Sequence, residues 1–388
     1  MKRLFGPLAL GLATLLAACG GGSASPASSP AAPATSTAAA PASAAGGASA
    51  KPAGSGATAS AAASGAASAD SLDAVKAEAQ KNGGKVVWYE SIEQDQGEKV
   101  LEAFKQDYPF MTGAKFVSVV SGNRVAKVTQ ESMAKGPTAD VDFGNAATLS
   151  NFYNQGFVNT VDWQALGVKT SPELTPTNYM VAVTAPYYVI LYNTQKVSEA
   201  DAPKSLQDLM DPKWKGGRIG LWARPQVFVT MAATWGEQQT VDFVTKLSKT
   251  QKPKIYDSNF TIAQDVGAGN IDVAVTTYHT TLPTQQKGAP VKVVTLDPTP
   301  INPLYGYSLK YGQNPAGGKL LLSWLAGPKG AKVYEDVSGR GNPFLEETKT
   351  GQMLKSVKTI DWPIDTQIKQ ADMLNNLEAQ LTKIQKEQ

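Results

Sequence analysis

From residue 72 onward the chain alternates short β-type apolar runs with stretches whose apolar positions recur at helical spacing. Leu72, Val75 and Ala79 open an amphipathic helix that Asn82-Gly83-Gly84 ends, and 85–89 follows as a β-rich run. Val100, Leu101, Phe104 and Tyr108 then repeat at helical spacing until Pro109. Residues 116–120 predict the next strand, 123–134 the next helix, and Val141-Asp142-Phe143 a third strand. Leu149, Phe152 and Tyr153 mark another helical face, closed by Gly156. Such alternation predicts an α/β fold with a mostly parallel sheet covered on both faces.

Residues 181–192 break the rhythm with one long β-rich segment, in which the pair Tyr187-Tyr188 reads as packing or hinge-lining. The alternation then restarts. It predicts helices near 205–210, 226–248 and 260–268, with strands near 217–222, 254–256, 271–276 and 291–296. Residues 304–311 read as extended and 315–338 as helical. Ile368, Leu374, Leu377, Leu381 and Ile384 form a last amphipathic helix, expected to dock on the domain surface. Two α/β units joined by β segments predict two lobes with a hinge and an interlobe cleft. The expected bounds are 71–185 for the first part of lobe 1, 186–300 for lobe 2, and 301–388 for the return to lobe 1 with C-terminal helices.

The first 70 residues differ in kind. Lys2 and Arg3 precede an apolar or small run through residue 18, too short to anchor across a bilayer, which predicts a signal peptide over 1–18. Leu16-Ala17-Ala18-Cys19 resembles the lipobox of bacterial lipoproteins, which implies that Cys19, the only cysteine, carries lipid and tethers the chain outside the cytoplasm. Residues 20–70 are almost wholly Gly, Ala, Ser, Pro and Thr, with Lys51 and Asp70 the only charges, so 19–70 reads as a disordered spacer.

A formal net charge of +3 with 18% charged residues gives no polyanion signal, and Lys and Arg do not cluster among aromatics, which excludes nucleic acid as a partner. No second hydrophobic stretch is long enough to cross a bilayer, which excludes a channel or permease. A single cysteine excludes disulfides and Cys-based metal or redox sites. One histidine excludes a zinc-protease motif, and no P-loop or nucleophile elbow is present, so an enzyme is not expected, a secreted hydrolase being the lesser alternative.

Open α/β sheets bind ligands at the carboxyl ends of their strands. The strand-to-helix loops 90–95, 121–124, 144–148, 222–226, 257–261 and 276–281 are therefore where chemistry is expected. Pro203, Ser205, Asp208, Leu209, Asp211, Pro212, Trp214, Lys215 and Gly216 form a block that resembles the extracytoplasmic solute-binding proteins of ABC importers. Within that family the block is similar to the group of ferric-, thiamine- and aminoalkylphosphonate-binding members. Gly269-Asn270-Ile271-Asp272-Val273-Ala274 resembles the group's strand before the ligand loop. The resemblance covers roughly residues 84–345. It implies a type II periplasmic-binding-protein fold, a permease as partner, a monomer, no cofactor, and lobe closure on a ligand.

Two ligand models follow from the resemblance. In the first, Tyr278, His279 and Glu93 hold Fe(III) or another metal as cargo, with an anion on Arg224 and Asn259. Asn145 stands where the ferric members carry a glutamate, and His279 where they carry a second tyrosine. In the second model, a small organic molecule bearing phosphate, phosphonate or carboxylate binds Arg224, Asn259 and Ser121, Tyr278 covers it, and Glu93 takes any amine. The second is preferred, because the acidic metal ligand at Asn145 is missing.

Overall fold

The computed structural model describes residues 71–387; the expected signal peptide, Cys19 and the spacer lie outside the described residues, as does the side chain of Ser121. Helix α1 (Leu72–Lys81) leads into β1 (Lys85–Glu90), α2 (Gln94–Asp107), β2 (Gly113–Ser118), α3 (Ser121–Met133), β3 (Val141–Gly144) and α4 (Ala146–Asn154). Next come β4 (Val181–Thr184), β5 (Tyr188–Asn193), β6 (Ile219–Trp222), α5 (Gln226–Trp235), α6 (Glu237–Gln251) and β7 (Lys254–Tyr256). They are followed by α7 (Asn259–Ala268), β8 (Val273–Thr277), α8 (Tyr278–Gln286), β9 (Val291–Thr295), β10 (Thr299–Pro300) and β11 (Leu304–Ser308). The last elements are α9 (Pro315–Leu325), α10 (Pro328–Ser338), α11 (Lys349–Leu354), β12 (Thr359–Ile360), α12 (Ile364–Lys369) and α13 (Ala371–Lys386).

Apart from β10 and β12, which pair parallel as a two-stranded sheet, the described strands form two five-stranded sheets of the same design. The first runs β2-β1-β3-β11-β4 and the second β7-β6-β8-β5-β9. In the first, β1 lies parallel to β2 and β3 while β11 runs antiparallel to both its neighbours. In the second, β6 lies parallel to β7 and β8 while β5 runs antiparallel to both of its own. Strands β3, β4, β5 and β8 are buried along their whole length, which is why they read as continuous apolar runs and not as alternating ones.

Each sheet has a separate core. Trp88, Phe104, Phe143 and Tyr334 are among the largest side chains buried around the first. Trp214, Phe228 and Leu209 fill the second. The family-like block is thereby explained as local architecture. The Asp208 carboxylate accepts the N–H groups of Lys204 and Ser205 (2.8 and 3.0 Å), Asp211 accepts that of Lys213 (2.9 Å), and Trp214 is driven into the core. Gly216 and Gly217 then turn at φ +81° and +78°, conformations that favour glycine.

Three expectations from the pattern change. The long β segment at 181–192 is two strands, one in each sheet, broken at Ala185-Pro186-Tyr187. Pro186 has no N–H for a ladder, Ala185 N–H turns to Gly341 O (2.9 Å), and Tyr187 bridges to Ile301 on the returning chain. The helical stretch over 315–338 is divided into α9 and α10, because Gly327 and Pro328 restart it with Pro at the first turn. The helix near 205–210 is a 3-10 turn over Gln207–Met210. At the C-terminus, α12 packs on α4 beside the first sheet, whereas α13 packs on α6 with Leu377 and Leu381 in the second core. The C-terminal segment therefore straddles both lobes.

Candidate functional site

The carboxyl ends of the parallel strands in the two sheets face one cavity of about 570 Å³, the arginine chamber. Each of the six strand-to-helix loops singled out from the sequence contributes at least one lining residue, from Ser91 through Gly122, Asn145, Trp222 and Asn259 to Thr277. Five helices (α3, α4, α5, α7 and α8) begin at its wall. The starts of α4 and α7 are closed by side chains, Asn145 Oδ1 accepting Thr148 N–H (2.9 Å) and Ser258 Oγ accepting Phe260 N–H (3.2 Å). Those of α3, α5 and α8 carry no such cap. The positive ends of five helix dipoles therefore converge on this space, although part of the first-turn N–H groups is bonded to backbone, as Tyr278 N–H is to Tyr187 O (2.9 Å).

Three arginines share the wall: Arg124 and Arg340 from the first lobe, Arg224 from the second. Arg124 is the most constrained. Its Nε lies 2.7 Å from Asp142 Oδ1, its Nη2 donates to Phe143 O (2.7 Å), and its Nη1 lies 3.7 Å from Glu90 and makes no hydrogen bond. Arg340 Nη1 donates to Glu90 Oε1 at 3.2 Å. Burial works against the charge on Glu90, but Arg340 and Arg124 outweigh it and hold the carboxyl below its ordinary range. Burial pushes Asp142 up to about 6, with Arg124 and the Tyr307 hydroxyl pulling the other way. Arg224 is different: it is exposed, lies over Trp222 (5.6 Å) and pairs loosely with Glu378 of α13 at 3.8 Å.

Of the expected site residues, Asn145, Arg224, Asn259 and His279 line this chamber together. Asn145 spends its carbonyl oxygen on the α4 cap, and Asn259 Oδ1 accepts the Thr276 hydroxyl (3.1 Å), which leaves the Asn259 amide N–H groups for a ligand. Glu93 and Tyr278 are elsewhere. With His279 they line an adjoining cavity of about 590 Å³, which shares only Ser91, Phe260, His279 and Arg340 with the first. Glu93, expected in a loop, is the N-cap of α2, and its N–H donates to Gln96 Oε1 (3.2 Å). Tyr278 stacks on Tyr187 (5.0 Å between centroids), and burial together with Glu335 raises its phenol above the ordinary value. Burial and the nearby Arg340 charge hold His279 well below its ordinary value, so the ring is neutral at pH 7, and its buried Nδ1 has no hydrogen-bond partner. Among the described residues no three His, Cys, Asp or Glu side chains come together as a metal-binding group.

Arg124 and Arg340 were not singled out beforehand. Arg124 sits in an expected loop region, but its anchors Glu90 and Asp142 lie on separate strands. Arg340 follows the C-cap of α10, where the rule of strand carboxyl ends does not look. A polar residue inside each of two apolar strands was the available signal for the pair that holds them.

A family model described as bacterial extracellular solute-binding protein matches residues 137–370. The chain belongs to this family. The solute-binding protein is 29% identical over 181 residues to the major ferric iron-binding protein of Neisseria gonorrhoeae, a match covering 43% of this chain and 54% of that one. It is 33% identical over 119 residues to the Fe(3+)-binding periplasmic protein of Serratia marcescens, covering 29% and 33%. The chain thus spans about half the length, or less, of the curated relatives it matches. Among solved structures, iron-bound HitA from Pseudomonas aeruginosa superposes with a TM-score of 0.63 at 19% identity, covering 76% of this chain and 99% of that one. AfuA from Actinobacillus pleuropneumoniae, with fructose-6-phosphate bound, gives 0.62 at 21% identity, covering 77% and 98%. At these identities the superpositions show the fold, that of a type II periplasmic binding protein with two mixed α/β sheets. The family is one of solute binders, a non-enzymatic class.

Proposed function

We propose that this solute-binding protein is the ligand-capturing component of an ABC importer and takes a small organic anion, bearing phosphate, phosphonate or carboxylate, into the arginine chamber. One observation carries the reading: five helix N-termini and three arginines, drawn from both lobes, face a single cavity. Tyr188, Trp222, Phe260 and Leu304 give the same wall apolar surface for an organic body. A ligand touching Arg224 on one lobe and Arg124 and Arg340 on the other binds the closed form better than the open one, so it shifts the hinge equilibrium toward closure. A ferric cargo calls for hard anionic donors; among the described residues Asp257 is the only carboxylate on this chamber's wall, and the residues of the metal alternative, Tyr278, His279 and Glu93, line the adjoining cavity.

Native mass spectrometry of protein purified without chelator tests the reading. A co-purifying organic anion, and a radius of gyration that falls when that anion is returned to stripped protein, are the expected results. Bound iron with a visible charge-transfer band overturns it in favour of the Tyr278, His279 and Glu93 set. The same proposal holds the protein at the membrane through Cys19, so a Cys19→Ser chain is expected in the soluble fraction, and its retention in the pellet removes the tether.

A further inference from the structure

Helix α13 backs onto the wall of the arginine chamber. Gln385 on this helix lines a narrow space with Tyr188, Trp222 and Arg224, and those three also line the chamber itself. Leu377 and Leu381 seat the helix in the second core. Glu378, next to Leu377, is thereby fixed beside Arg224, with 28% of its side chain exposed, and it pairs with no other cation among the described residues. Its charge reaches the chamber. Burial raises the Tyr188 hydroxyl above its ordinary value, Arg224 works against that, and the carboxylates of Glu378 and Asp361 add to it.

The contact between Glu378 and Arg224 is one of charge alone. Glu378 Oε1 lies 3.8 Å from Arg224 Nε, beyond hydrogen-bond reach. Trp222, 5.6 Å from the guanidinium centre, sets the plane of the group, its own Nε1 donating to Asp257 O (3.3 Å). The Nη edge makes no hydrogen bond among the described residues and is open to a ligand, with Glu378 on the Nε side. Asp257, the carboxylate on the wall itself, is exposed to water, whereas the more buried Glu378 is screened less. An anion on the Nη edge meets Glu378 across one guanidinium. Even with the screening of water, like charges about 7 Å apart weaken binding about threefold for each negative charge on the ligand, and about tenfold for two.

We propose that Glu378 sets the selectivity of the site for the charge of the ligand's head. Its carboxylate lowers the affinity of a doubly charged phosphate monoester more than that of a singly charged carboxylate or phosphodiester. It thereby offsets part of the advantage that three arginines give to a dianion. This rests on the reading of the arginine chamber as an anion site.

The test is calorimetry at pH 8 and low ionic strength with butyl phosphate, a dianion there, against butyl methyl phosphate, a monoanion. Glu378→Gln is expected to tighten binding of the first about tenfold and of the second about threefold. Asp372→Asn removes the same charge from the exposed first turn of α13, about 9 Å along the helix, and is expected to change either affinity less than about twofold. Three outcomes overturn the inference: an unchanged or weaker affinity in Glu378→Gln, an equal gain for the two ligands, or the same gains from Asp372→Asn. Binding of either ligand by the wild type leaves the arginine chamber standing in each case. Absence of binding by both ligands overturns both.

Discussion

Replacing Arg124 with methionine is expected to destabilise the protein by about 3–5 kcal/mol at pH 8, the cost of stripping one partner from a buried ion pair. Only 6% of the Arg124 side chain is exposed, against 0% for Glu90 and 1% for Asp142. Without the guanidinium, Asp142 keeps the hydroxyl of Tyr307 but no cation, and Glu90 keeps Arg340 alone. The loss should depend on pH in a definite sense. Burial already raises Asp142 above its unfolded value, to about 6, so the folded protein holds a proton that the unfolded chain has released, and stability falls as pH rises through that window. Removing Arg124 raises this carboxyl further and carries the window upward. Glu90, held low by Arg340 and Arg124, loses part of its stabilising charge at the same time. The deficit of the variant is therefore large at pH 8 and shrinks toward pH 5, where Asp142 is protonated in both proteins. Urea unfolding at the two pH values measures it, and an equal deficit at both would mean that Arg124 acts by packing alone.

Arg224→Ala is expected to give the reverse profile: affinity for a phosphate ester falls about 10- to 100-fold, the worth of a charge-assisted hydrogen-bonded pair, with little change in the unfolding midpoint. Its side chain is 61% exposed, and its pairing with Glu378 at 3.8 Å is of the kind worth about 0–1 kcal/mol. Arg224→Lys should recover only part of the affinity, because an ammonium cannot present the planar fork. Calorimetry and thermal unfolding on the same preparations separate the two arginines. A wild-type affinity in Arg224→Ala would remove Arg224 from anion recognition.

Much of the fold was legible because each buried strand is a short apolar run set between helices with an apolar stripe. The cavity was legible too, since the loops at strand carboxyl ends all reach it. What escaped was set by long-range pairing. The break at Ala185-Pro186-Tyr187 separates two runs that look continuous, and only the partner strands β11 and β8 show that they belong to different sheets. Asn145 and Glu93 read as loop ligands because a cap and a free side chain are written with the same residue types. Arg340 reaches the chamber from the end of a helix on the far side of the first lobe's chain path. Its partner Glu90 lies two hundred and fifty residues earlier.

The place of β11 in the first sheet bears on how the chain can fold. Strand β11 sits between β3 and β4, antiparallel to both, yet the entire second sheet is encoded between them and it. Until that stretch has been synthesised, β3 and β4 have no common neighbour, and the first core lacks Tyr305, Tyr307 and the α9 leucines that seal it. Closing so large a loop precedes the contacts that reward it, which makes folding slow. The first lobe cannot mature ahead of the second. Almost the whole polypeptide has to be available before either wall of the cleft can be completed.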